Sequence, residues 1–383
     1  MGTRPFGVYI HVPWCSSRCG YCDFNTYVPG ALEAASPASF VDDAIAEIRI
    51  ARELMGERNV TVSTVFFGGG TPTLLPATDL SRVLAEVDAS FGLAPGAEVT
   101  TEANPESVNP QYFEALLNSG FTRLSLGMQS SSTSVLATLD REHTAGRAPQ
   151  AAREAFAAGF SEVSLDLIYG TPGETDHQWR QSLQDALSAG PTHVSAYSLI
   201  VEQGTKMARL VKSGVLSPTD DDVLARRYEW ADEALSDAGL TWYEVSNWAR
   251  GGREGSSVCR HNLGYWRNDD WLGVGAGAHS HVGGLRWWNQ KHPARCSASL
   301  AKGGLPVAGC ERLTSAEQEV EEIMLRLRLA EGLPVERVSG ERRADIDRLV
   351  AEGLLNPQAS SKGLLILTSR GRLLADLVVR TLT

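Results

Sequence analysis

Hydrophobic positions along the first 240 residues change repeatedly between two spacings. Short runs rich in β-branched and apolar residues predict strands, and the stretches between them carry apolar residues at the spacing of an amphipathic helix. Strict alternation of this kind predicts a parallel sheet with helices on its outside. The six predicted strands lie at 6–12, 62–70, 97–104, 121–129, 161–170 and 193–202.

The number of strand–helix units decides the predicted architecture. Eight units close a (β/α) barrel, so six predict an open, partial (β/α)6 barrel of the α/β class. The stretch 241–250 predicts one further strand. We therefore interpret residues 1–250 as a partial-barrel domain.

The rest of the chain has a different pattern. Residues 251–310 are rich in Gly, Trp, His and Asn, and we interpret them as an irregular segment that covers the barrel. Helical spacing then returns with a helix that Thr314 or Ser315 can cap. Helix, strand, turn and helix follow, which predicts a small winged-helix-like domain at 311–383.

Composition and charge exclude several classes of protein. Of the 383 residues, 43% are hydrophobic and 21% are charged, which is typical of a globular chain. The formal net charge of −11 argues against general nucleic-acid binding, which depends on a basic surface. Because the chain shows neither a signal-peptide pattern nor an apolar run of membrane-spanning length, we expect a cytoplasmic protein without an integral membrane segment.

Three cysteines are clustered after the first predicted strand. Cys15, Cys19 and Cys22 have the spacing C-x3-C-x2-C. In a cytosolic protein, clustered cysteines are metal ligands or redox groups more often than disulfides. A [4Fe–4S] cluster normally takes four thiolates, so three leave one iron open to an external ligand. The alternative is a structural zinc site with a distant Cys or His as its fourth ligand, although common zinc sites pair C-x2-C units.

Polar residues also follow the other predicted strands. The chemistry of a parallel α/β barrel lies at the C-terminal ends of its strands. The glycine-rich GGGTPT (68–73) ends the second strand, and its glycines let backbone approach a ligand closely. We expect the polar groups of the later strands to converge on the cysteine loop. They are Glu102, Gln129, Asp166, Tyr197 and Ser198.

Six motifs together resemble a known superfamily. The motifs are YIHVPWC (9–15), CGYC (19–22), GGGTPT (68–73), RLSLGMQS (123–130), LDLIYGTPGET (165–175) and HNLGYW (261–266). Through them nearly the whole chain resembles the radical S-adenosylmethionine (SAM) superfamily. Within that superfamily it resembles the anaerobic coproporphyrinogen III oxidase-like family.

The resemblance implies a [4Fe–4S] cluster on Cys15, Cys19 and Cys22, with SAM on the open iron. The implied SAM-binding residues are Tyr9, Tyr21, Gly69, Gly70, Thr71, Glu102, Gln129, Arg141, Asp166, Ser198 and His279. Relatives can hold a second SAM, and the positions that match its site are Gln129, Arg141, Asp166 and Ser198. Ser198 and His279 differ from the residue types that the family pattern leads us to expect there.

Three departures separate the chain from the oxidases. The oxidases have a further cysteine two residues after the third ligand, where this chain has Phe24. They also have an N-terminal extension before the cluster loop, for which the position of Cys15 leaves no room. Finally, HNLGYW resembles the H-N-x-x-Y-W signature of the HemW-type haem chaperones. The residues that this signature implies in haem binding are His261, Asn262, Tyr265 and Trp266.

The residues alone leave the haem ligand open. Imidazole is a common ligand of haem iron, and aromatic rings can pack on a macrocycle. A His–Asn pair with two aromatic residues can equally cap a hydrophobic core. His279, His281 and Cys259 are rival ligands.

The resemblance implies a haem chaperone that binds haem b and a SAM-ligated [4Fe–4S] cluster and passes haem to a cytosolic or membrane-associated haemoprotein. One alternative is an oxygen-independent coproporphyrinogen III oxidase that works by radical SAM oxidative decarboxylation. A second is radical SAM opening or methylation of the haem ring, and a structural zinc protein is the alternative of another class. The sequence leaves open the haem acceptor, the cleavage of SAM, covalent attachment of haem and the oligomeric state.

Overall fold

The structure is a computed structural model of the chain, and it describes residues 4–32, 35–56, 58, 60–252 and 255–383. None of the described helices combines the length and the apolar character needed to cross a bilayer.

The strands are β1 (Phe6–Val12), β2 (Val62–Gly69), β3 (Leu93–Ala103), β4 (Arg123–Gln129), β5 (Glu162–Tyr169), β6 (His193–Ser198), β7 (Leu240–Glu244), β8 (Asn247–Arg250), β9 (Asp270–Val274), β10 (His279–Val282), β11 (Leu285–Asn289), β12 (Val307–Glu311), β13 (Leu333–Pro334) and β14 (Leu364–Leu365). The α-helices are α1 (Pro37–Met55), α2 (Ala77–Phe91), α3 (Pro110–Asn118), α4 (Thr133–Thr138), α5 (Arg147–Ala158), α6 (Asp176–Ser188), α7 (Lys206–Lys212), α8 (Asp221–Asp237), α9 (Arg260–Trp266), α10 (Pro293–Leu300), α11 (Ser315–Arg326), α12 (Arg343–Ala351), α13 (Pro357–Ser360), α14 (Ser369–Leu373) and α15 (Ala375–Leu382).

Twelve strands form one sheet in the order β12-β11-β10-β9-β1-β2-β3-β4-β5-β6-β8-β7. Strands β1 to β6 are parallel and neighbour one another in chain order, as six consecutive βα units require. Within the described residues, no pairing joins β12 to β7, so the barrel stays open. The predicted α/β partial barrel is confirmed.

Both ends of this sheet differ from the sequence prediction. The single strand predicted at 241–250 is a hairpin, in which β7 and β8 pair antiparallel and β8 lies beside β6. The expectation that 251–310 is irregular is wrong, because this segment contains α9, α10 and β9 to β12. Strand β9 pairs parallel with β1, and β10 to β12 continue the sheet antiparallel. These strands are four or five residues long, too short for their aromatic residues to give a clear alternating pattern.

Side-chain alternation gives the barrel wall two different faces. In β1, Val8 and Ile10 are fully buried in the main hydrophobic core together with Val41 and Ile48 of α1. Tyr9, between them in sequence, lines the central cavity instead. Because successive strand side chains point to opposite faces, the apolar positions hold the helices and the intervening positions supply the lumen.

The C-terminal residues form a second hydrophobic core that extends from Ile323 to Leu382. Thr314 begins α11 as its N-cap and forms the reciprocal capping box with Glu317. Strands β13 and β14 make a two-stranded antiparallel sheet among α11 to α15. Helices around such a small sheet fit the winged-helix-like arrangement, whereas the domain boundaries 1–250, 251–310 and 311–383 stay a prediction.

One cation joins the C-terminal helices to the barrel. Arg372 of α14 donates from Nη1 to Asp232 Oδ1 of α8 at 2.9 Å, and its Nη2 pairs with the second oxygen of that carboxylate. The guanidinium lies 4.5 Å from the centroid of the Trp242 ring on β7. Because the Arg372 side chain is only 7% exposed, this bidentate and stacked contact is a fixed part of the interface.

Candidate functional site

The lumen of the barrel holds a cavity of about 670 Å³. The cysteine loop lines one end, together with Phe24 and Ile200, whose side chains are exposed and so mark the mouth. His261 and Tyr265 of α9 line the other end, because His261 lies beside Gly7 and Thr64 near the N-terminal ends of β1 and β2, whereas the cysteines follow the C-terminal end of β1. A cavity of this size is typical of a site for a small molecule or a cofactor.

Most of the predicted site residues meet in this cavity. Those that line it are Tyr9, Cys15, Cys19, Tyr21, Cys22, Gly69, Gly70, Thr71, Glu102, Gln129, Arg141, Asp166, Ser198, His261, Asn262 and Tyr265. Two predicted residues lie elsewhere. His279 is on the exposed face of β10, stacked on Trp288 with ring centroids 6.0 Å apart, so its position does not support the predicted SAM contact. Trp266 packs in a small hydrophobic cluster with Tyr243 and Leu329.

The cysteine loop is fixed by backbone hydrogen bonds on both sides. Cys15 N donates to Tyr27 O at 3.0 Å, and Cys22 N donates to Cys19 O at 3.3 Å. Gly20, between the second and third cysteines, donates to Leu139 O at 3.1 Å. A side chain at Gly20 would lie 2.5 Å from a carboxylate oxygen of Asp140, so the tight course of the loop requires glycine. The loop thereby presents three partly exposed thiols to one end of the cavity.

Two polar side chains donate to the sulfur atoms. Thr71 Oγ1 lies 3.7 Å from Cys15 Sγ, and Arg141 Nη1 lies 3.6 Å from Cys19 Sγ. Burial raises the pKa of the Cys15 and Cys22 thiols, and a positively charged metal centre would favour their thiolate forms. In the described part of the chain, no three His, Cys, Asp or Glu side chains form a group that could hold a single metal ion. In a [4Fe–4S] cluster each thiol binds a different iron, so the three cysteines need not lie as close together as the ligands of a single metal ion.

The glycine-rich loop packs directly on the cysteine loop. Gly70 N donates to Val12 O and Thr71 N donates to Trp14 O, both at 2.7 Å. A side chain at Gly70 would lie 2.5 Å from the carbonyl oxygen of Trp14. Gly69 has a φ of 105°, and a side chain there would lie 2.6 Å from the His11 ring. Glycine at these two positions therefore lets the loop pack this closely on the cysteine loop, and both glycines also line the cavity.

A carboxylate and a guanidinium stand beside these loops. Glu102 Oε2 accepts the Gly69 N–H at 3.1 Å, and burial, followed by the charge of Asp166, raises the pKa of Glu102 to about 7. Arg141 Nη2 donates to Gly127 O at 3.2 Å. The buried Arg141 Nε has no hydrogen-bond partner among the described residues, which leaves a donor available to a ligand.

Asp166 belongs to a chain of hydrogen bonds across the cavity wall. Its carboxylate accepts from the hydroxyls of Ser125 and Ser195 at 2.8 Å and of Ser164 at 3.2 Å. Ser164 also bonds to His193 Nδ1 at 2.8 Å, and His193 Nε2 bonds to the Tyr243 hydroxyl at 2.8 Å. Burial raises the pKa of Asp166, and the three hydroxyls oppose that shift.

The sequence reasoning missed several of these lining residues. They are Phe66, Thr100, Arg123, Ser125, Ser164, His193, Ser195 and Tyr243. Four of them, Phe66, Ser125, Ser164 and Ser195, each lie on a strand between two buried apolar residues, so alternation is the signal that could have found these four. Gln129, which was predicted, has a φ of 61°, a left-handed conformation that is uncommon outside glycine and concentrates at functional sites.

The helix α9 closes the end of the cavity opposite the cysteines. Glu98 of β3 lies at its N-terminus, where the Arg260 N–H at 2.9 Å and the His261 N–H at 3.0 Å donate to the carboxylate. The Cys259 thiol lies 3.6 Å from the same carboxylate. Asn262 Nδ2 donates to Glu244 Oε1 of β7 at 3.2 Å. These partners lie on β3 and β7, which are far apart in the sheet, so α9 spans this end of the barrel and forms the floor of the cavity.

His261 is buried within this floor. Its Nδ1 lies 2.9 Å from Thr64 Oγ1, and its Nε2 lies 2.8 Å from the Tyr265 hydroxyl. The ring stacks on Phe66 with centroids 5.3 Å apart. Burial lowers the pKa of His261 to about 3, so the imidazole is neutral at physiological pH.

The rival ligands have other surroundings. His281 Nδ1 bonds to the carbonyl oxygen of Asp269 at 3.1 Å, and His281 is not among the residues that line the cavity. Cys259 lines the cavity, and burial raises the pKa of its thiol well above its ordinary value. Of the three rivals, only this protonated thiol reaches the same space as His261.

Comparisons with known proteins place the chain in a class and then in a family. Residues 9–186 match the model of the radical SAM superfamily, so the open barrel with its three-cysteine loop is a radical SAM fold. A solved coproporphyrinogen III oxidase, HemN from Escherichia coli, has the same fold, with a TM-score of 0.82 over 99% of this chain and 90% of that chain at 22% identity.

The nearer resemblance is to HemW proteins. A protein named heme chaperone HemW from Mycobacterium tuberculosis is 52% identical over 382 residues, which covers 100% of this chain and 96% of that protein. Another of that name, from Bacillus subtilis, is 31% identical over 379 residues and 96% of each chain. The chain belongs to the HemW family of radical SAM proteins.

The radical SAM class implies a [4Fe–4S] cluster and SAM, and the residues present fit both. Three thiols face one end of a single cavity, as a cluster with one open iron requires. Beside them, Gly69 and Gly70 let the glycine-rich loop pack closely on His11 and on the cysteine loop, and Arg141 Nε is an unpartnered buried donor among the described residues. These features suit the polar amino-acid end of a bound SAM.

Proposed function

We propose that the protein is a haem chaperone, which binds haem b and a SAM-ligated [4Fe–4S] cluster and transfers the haem to an acceptor haemoprotein in the cytoplasm or at the membrane surface. The observation that carries this proposal is that the cysteine loop and the HNLGYW helix line opposite ends of one cavity. The full-length similarity to proteins named heme chaperone HemW supports it.

At the mouth of the cavity, Cys15, Cys19 and Cys22 would ligate three irons. When bound, the cluster and SAM supply one-electron chemistry at the SAM sulfonium. The remaining residues bind and orient. Gly69 and Gly70 line the cavity beside the cysteine loop, and the other proposed SAM contacts are Tyr9, Tyr21, Thr71, Glu102, Gln129, Arg141, Asp166 and Ser198.

At the floor of the cavity, His261 is the proposed ligand of the haem iron. It supplies a neutral imidazole, which is the protonation state that binds a metal. Tyr9, Phe66 and Tyr265 place aromatic rings around it, with ring centroids 4.9 to 6.4 Å from the imidazole. Asn262 positions α9 through Glu244, whereas Trp266 supports the helix from the core side.

Anaerobic reconstitution followed by titration tests the proposal. We expect about four irons and four labile sulfides per chain, a change of the cluster spectrum on adding SAM, and a Soret band on adding haem. We also expect transfer of the bound haem to an apo-haemoprotein, followed by the spectrum of the acceptor. His261→Ala is expected to shift the Soret band or weaken haem binding.

Several outcomes would contradict the proposal. Zinc without iron or labile sulfide would favour a structural zinc site. Formation of vinyl product from coproporphyrinogen III would favour the oxidase, and loss of the Soret band with a methylated or opened ring would favour haem modification. The oxidase is the less favoured enzyme because Phe24 stands where the oxidases have their further cysteine.

A further inference from the structure

The imidazole of His261 is held at both ring nitrogens and on one face within the cavity floor. Each ring nitrogen has one hydroxyl partner, Thr64 at Nδ1 and Tyr265 at Nε2, at 2.9 and 2.8 Å. Phe66 covers one face of the ring, at an interplanar angle of 23°. A side chain at Gly7 would lie 3.2 Å from the ring edge, so glycine leaves just enough room there. The orientation of the ring is therefore fixed before any ligand enters.

The two hydroxyls are not equivalent partners. A neutral imidazole has one N–H donor and one acceptor nitrogen, so one hydroxyl donates to the ring and the other accepts from it. A phenol is more acidic than an aliphatic alcohol and is the stronger hydrogen-bond donor. The favoured arrangement has the Tyr265 O–H donating to Nε2 and the Nδ1–H donating to Thr64 Oγ1. The lone pair of His261 then lies on Nε2.

That arrangement matches the way in which histidine binds metals. A ligating imidazole usually donates its other N–H to an acceptor, which fixes the tautomer and the orientation of the ring. We infer that Thr64 orients His261 for haem iron and that the Tyr265 hydroxyl occupies Nε2 until haem displaces it. The inference rests on the proposed function, in which His261 is the iron ligand.

The exchange is a simple substitution at one nitrogen. The hydrogen bond from the Tyr265 hydroxyl to Nε2 breaks, and the lone pair of Nε2 forms the bond to iron. The phenol keeps its proton, and the Nδ1 proton stays on the bond to Thr64, so no oxidant or proton acceptor is needed. The Tyr265 ring lies edge-on to Trp271 with centroids 4.8 Å apart, and this contact holds the phenol in the blocking position in the absence of haem.

Haemin titration of single variants separates the two roles. Tyr265→Phe removes the competing hydroxyl and is expected to bind haemin about two- to tenfold more tightly, the gain from one hydrogen bond that no longer has to break. Thr64→Val removes the acceptor for Nδ1–H and is expected to bind about tenfold more weakly, with the Soret position unchanged. Thr64→Ser keeps the hydroxyl and is expected to restore wild-type affinity. Tyr112→Phe, which removes a buried hydroxyl bonded to Leu75 O outside the cavity, is the matched control and is expected to titrate as wild type.

His261→Ala distinguishes failure of the inference from failure of the proposed function. A wild-type protein without a Soret band, or identical titrations of wild type and His261→Ala, would remove the proposed ligand itself. If His261→Ala changes the haem spectrum but Tyr265→Phe binds haemin no more tightly than wild type, the inference is overturned and the proposed ligand stands. Tighter binding in Tyr243→Phe alone would assign the iron to His193, whose Nε2 carries the equivalent hydroxyl, and would likewise overturn the inference.

Discussion

The carboxylate of Glu98 holds the cavity floor in place, and its removal offers a direct test of how α9 is fixed. Two backbone N–H groups at the start of α9 donate to this carboxylate, at 2.9 and 3.0 Å. The Glu98 side chain is only 5% exposed, so water has little access to replace it. Glu98→Ala therefore leaves two donors buried without their acceptor.

The expected magnitude follows from these two bonds. A hydrogen bond to a charged group contributes about 1.5–3 kcal/mol, so Glu98→Ala lowers the local stability of α9 by about 3–6 kcal/mol. Glu98→Gln keeps the shape and one carbonyl oxygen, and about half of that loss is expected. Because about 1.4 kcal/mol changes an equilibrium tenfold, amides of α9 are expected to exchange at least about 100-fold faster in Glu98→Ala.

Hydrogen exchange on peptides that cover 258–266 measures this effect. Glu86→Ala is the matched control, because the ion pair of Glu86 with Arg49 lies at the surface and contributes at most about 1 kcal/mol. Protection of 258–266 is expected to be unchanged in the control. Unchanged protection in Glu98→Ala as well would refute the reasoning, and would show that the buried side chains of α9 hold the floor without its N-terminal cap.

Three further predictions concern the loop, the outer helices and the C-terminal interface. Gly70→Ala pushes a methyl group into the cysteine loop and is expected to abolish stable incorporation of iron and sulfide. In the control Gly340→Ala the added methyl group meets no atom within 4 Å, so this variant should keep the iron and sulfide content of wild type. Equal iron and sulfide content in the two variants would contradict the prediction. Burial raises the pKa of Glu47 to about 7, so its stabilising contribution is complete below about pH 4.5 and is lost as the pH rises through 7. We therefore expect the free energy of unfolding of Glu47→Gln, measured by thermal unfolding, to rise relative to that of wild type by up to about 3 kcal/mol between about pH 4.5 and 7. A difference between the two proteins that does not change with pH would contradict this prediction. Arg372→Ala is expected to lower the free energy of unfolding by about 2–4 kcal/mol. The control Arg348→Ala removes a surface ion pair and is expected to lower it by less than about 1 kcal/mol. Similar midpoints of urea unfolding for the two variants would contradict this prediction.

The barrel and its mouth could be predicted from sequence because their signals are local. Each strand carries its own alternation, and the rule that strand ends converge brought Glu102, Gln129 and Asp166 to the cysteine loop without further information. The cysteine spacing and the glycines of 68–73 are likewise signals that extend over only a few residues of sequence. The structure places all of them except Gly68 around one cavity.

The floor of the cavity could not be predicted in the same way. HNLGYW is a seven-residue helix with Arg260, and its orientation depends on Glu98, Thr64 and Glu244, which come from three distant strands. The local pattern of hydrophobic residues gives no indication of contacts between residues that are so far apart in sequence. The short strands of 251–310 were missed for a related reason, since β9 depends on pairing with β1, and β10 to β12 depend on pairing with one another and with β9 rather than on their own pattern.

The pairing of β1 with β9 also determines when the metal site can form in a growing chain. Phe6 pairs with Asp270, and the loop after β1 is tied by Asn25 to Ala276 O at 2.9 Å and by Tyr27 to Lys291 O at 3.1 Å. Because synthesis proceeds from the N-terminus, the cysteines leave the ribosome long before these partners. Until then one edge of β1 is open to strand addition by another chain, and the thiols lack part of their scaffold. We therefore expect the proposed cluster to be inserted late in biogenesis, and nascent chains that stall before residue 291 to carry cysteines that are exposed to oxidation.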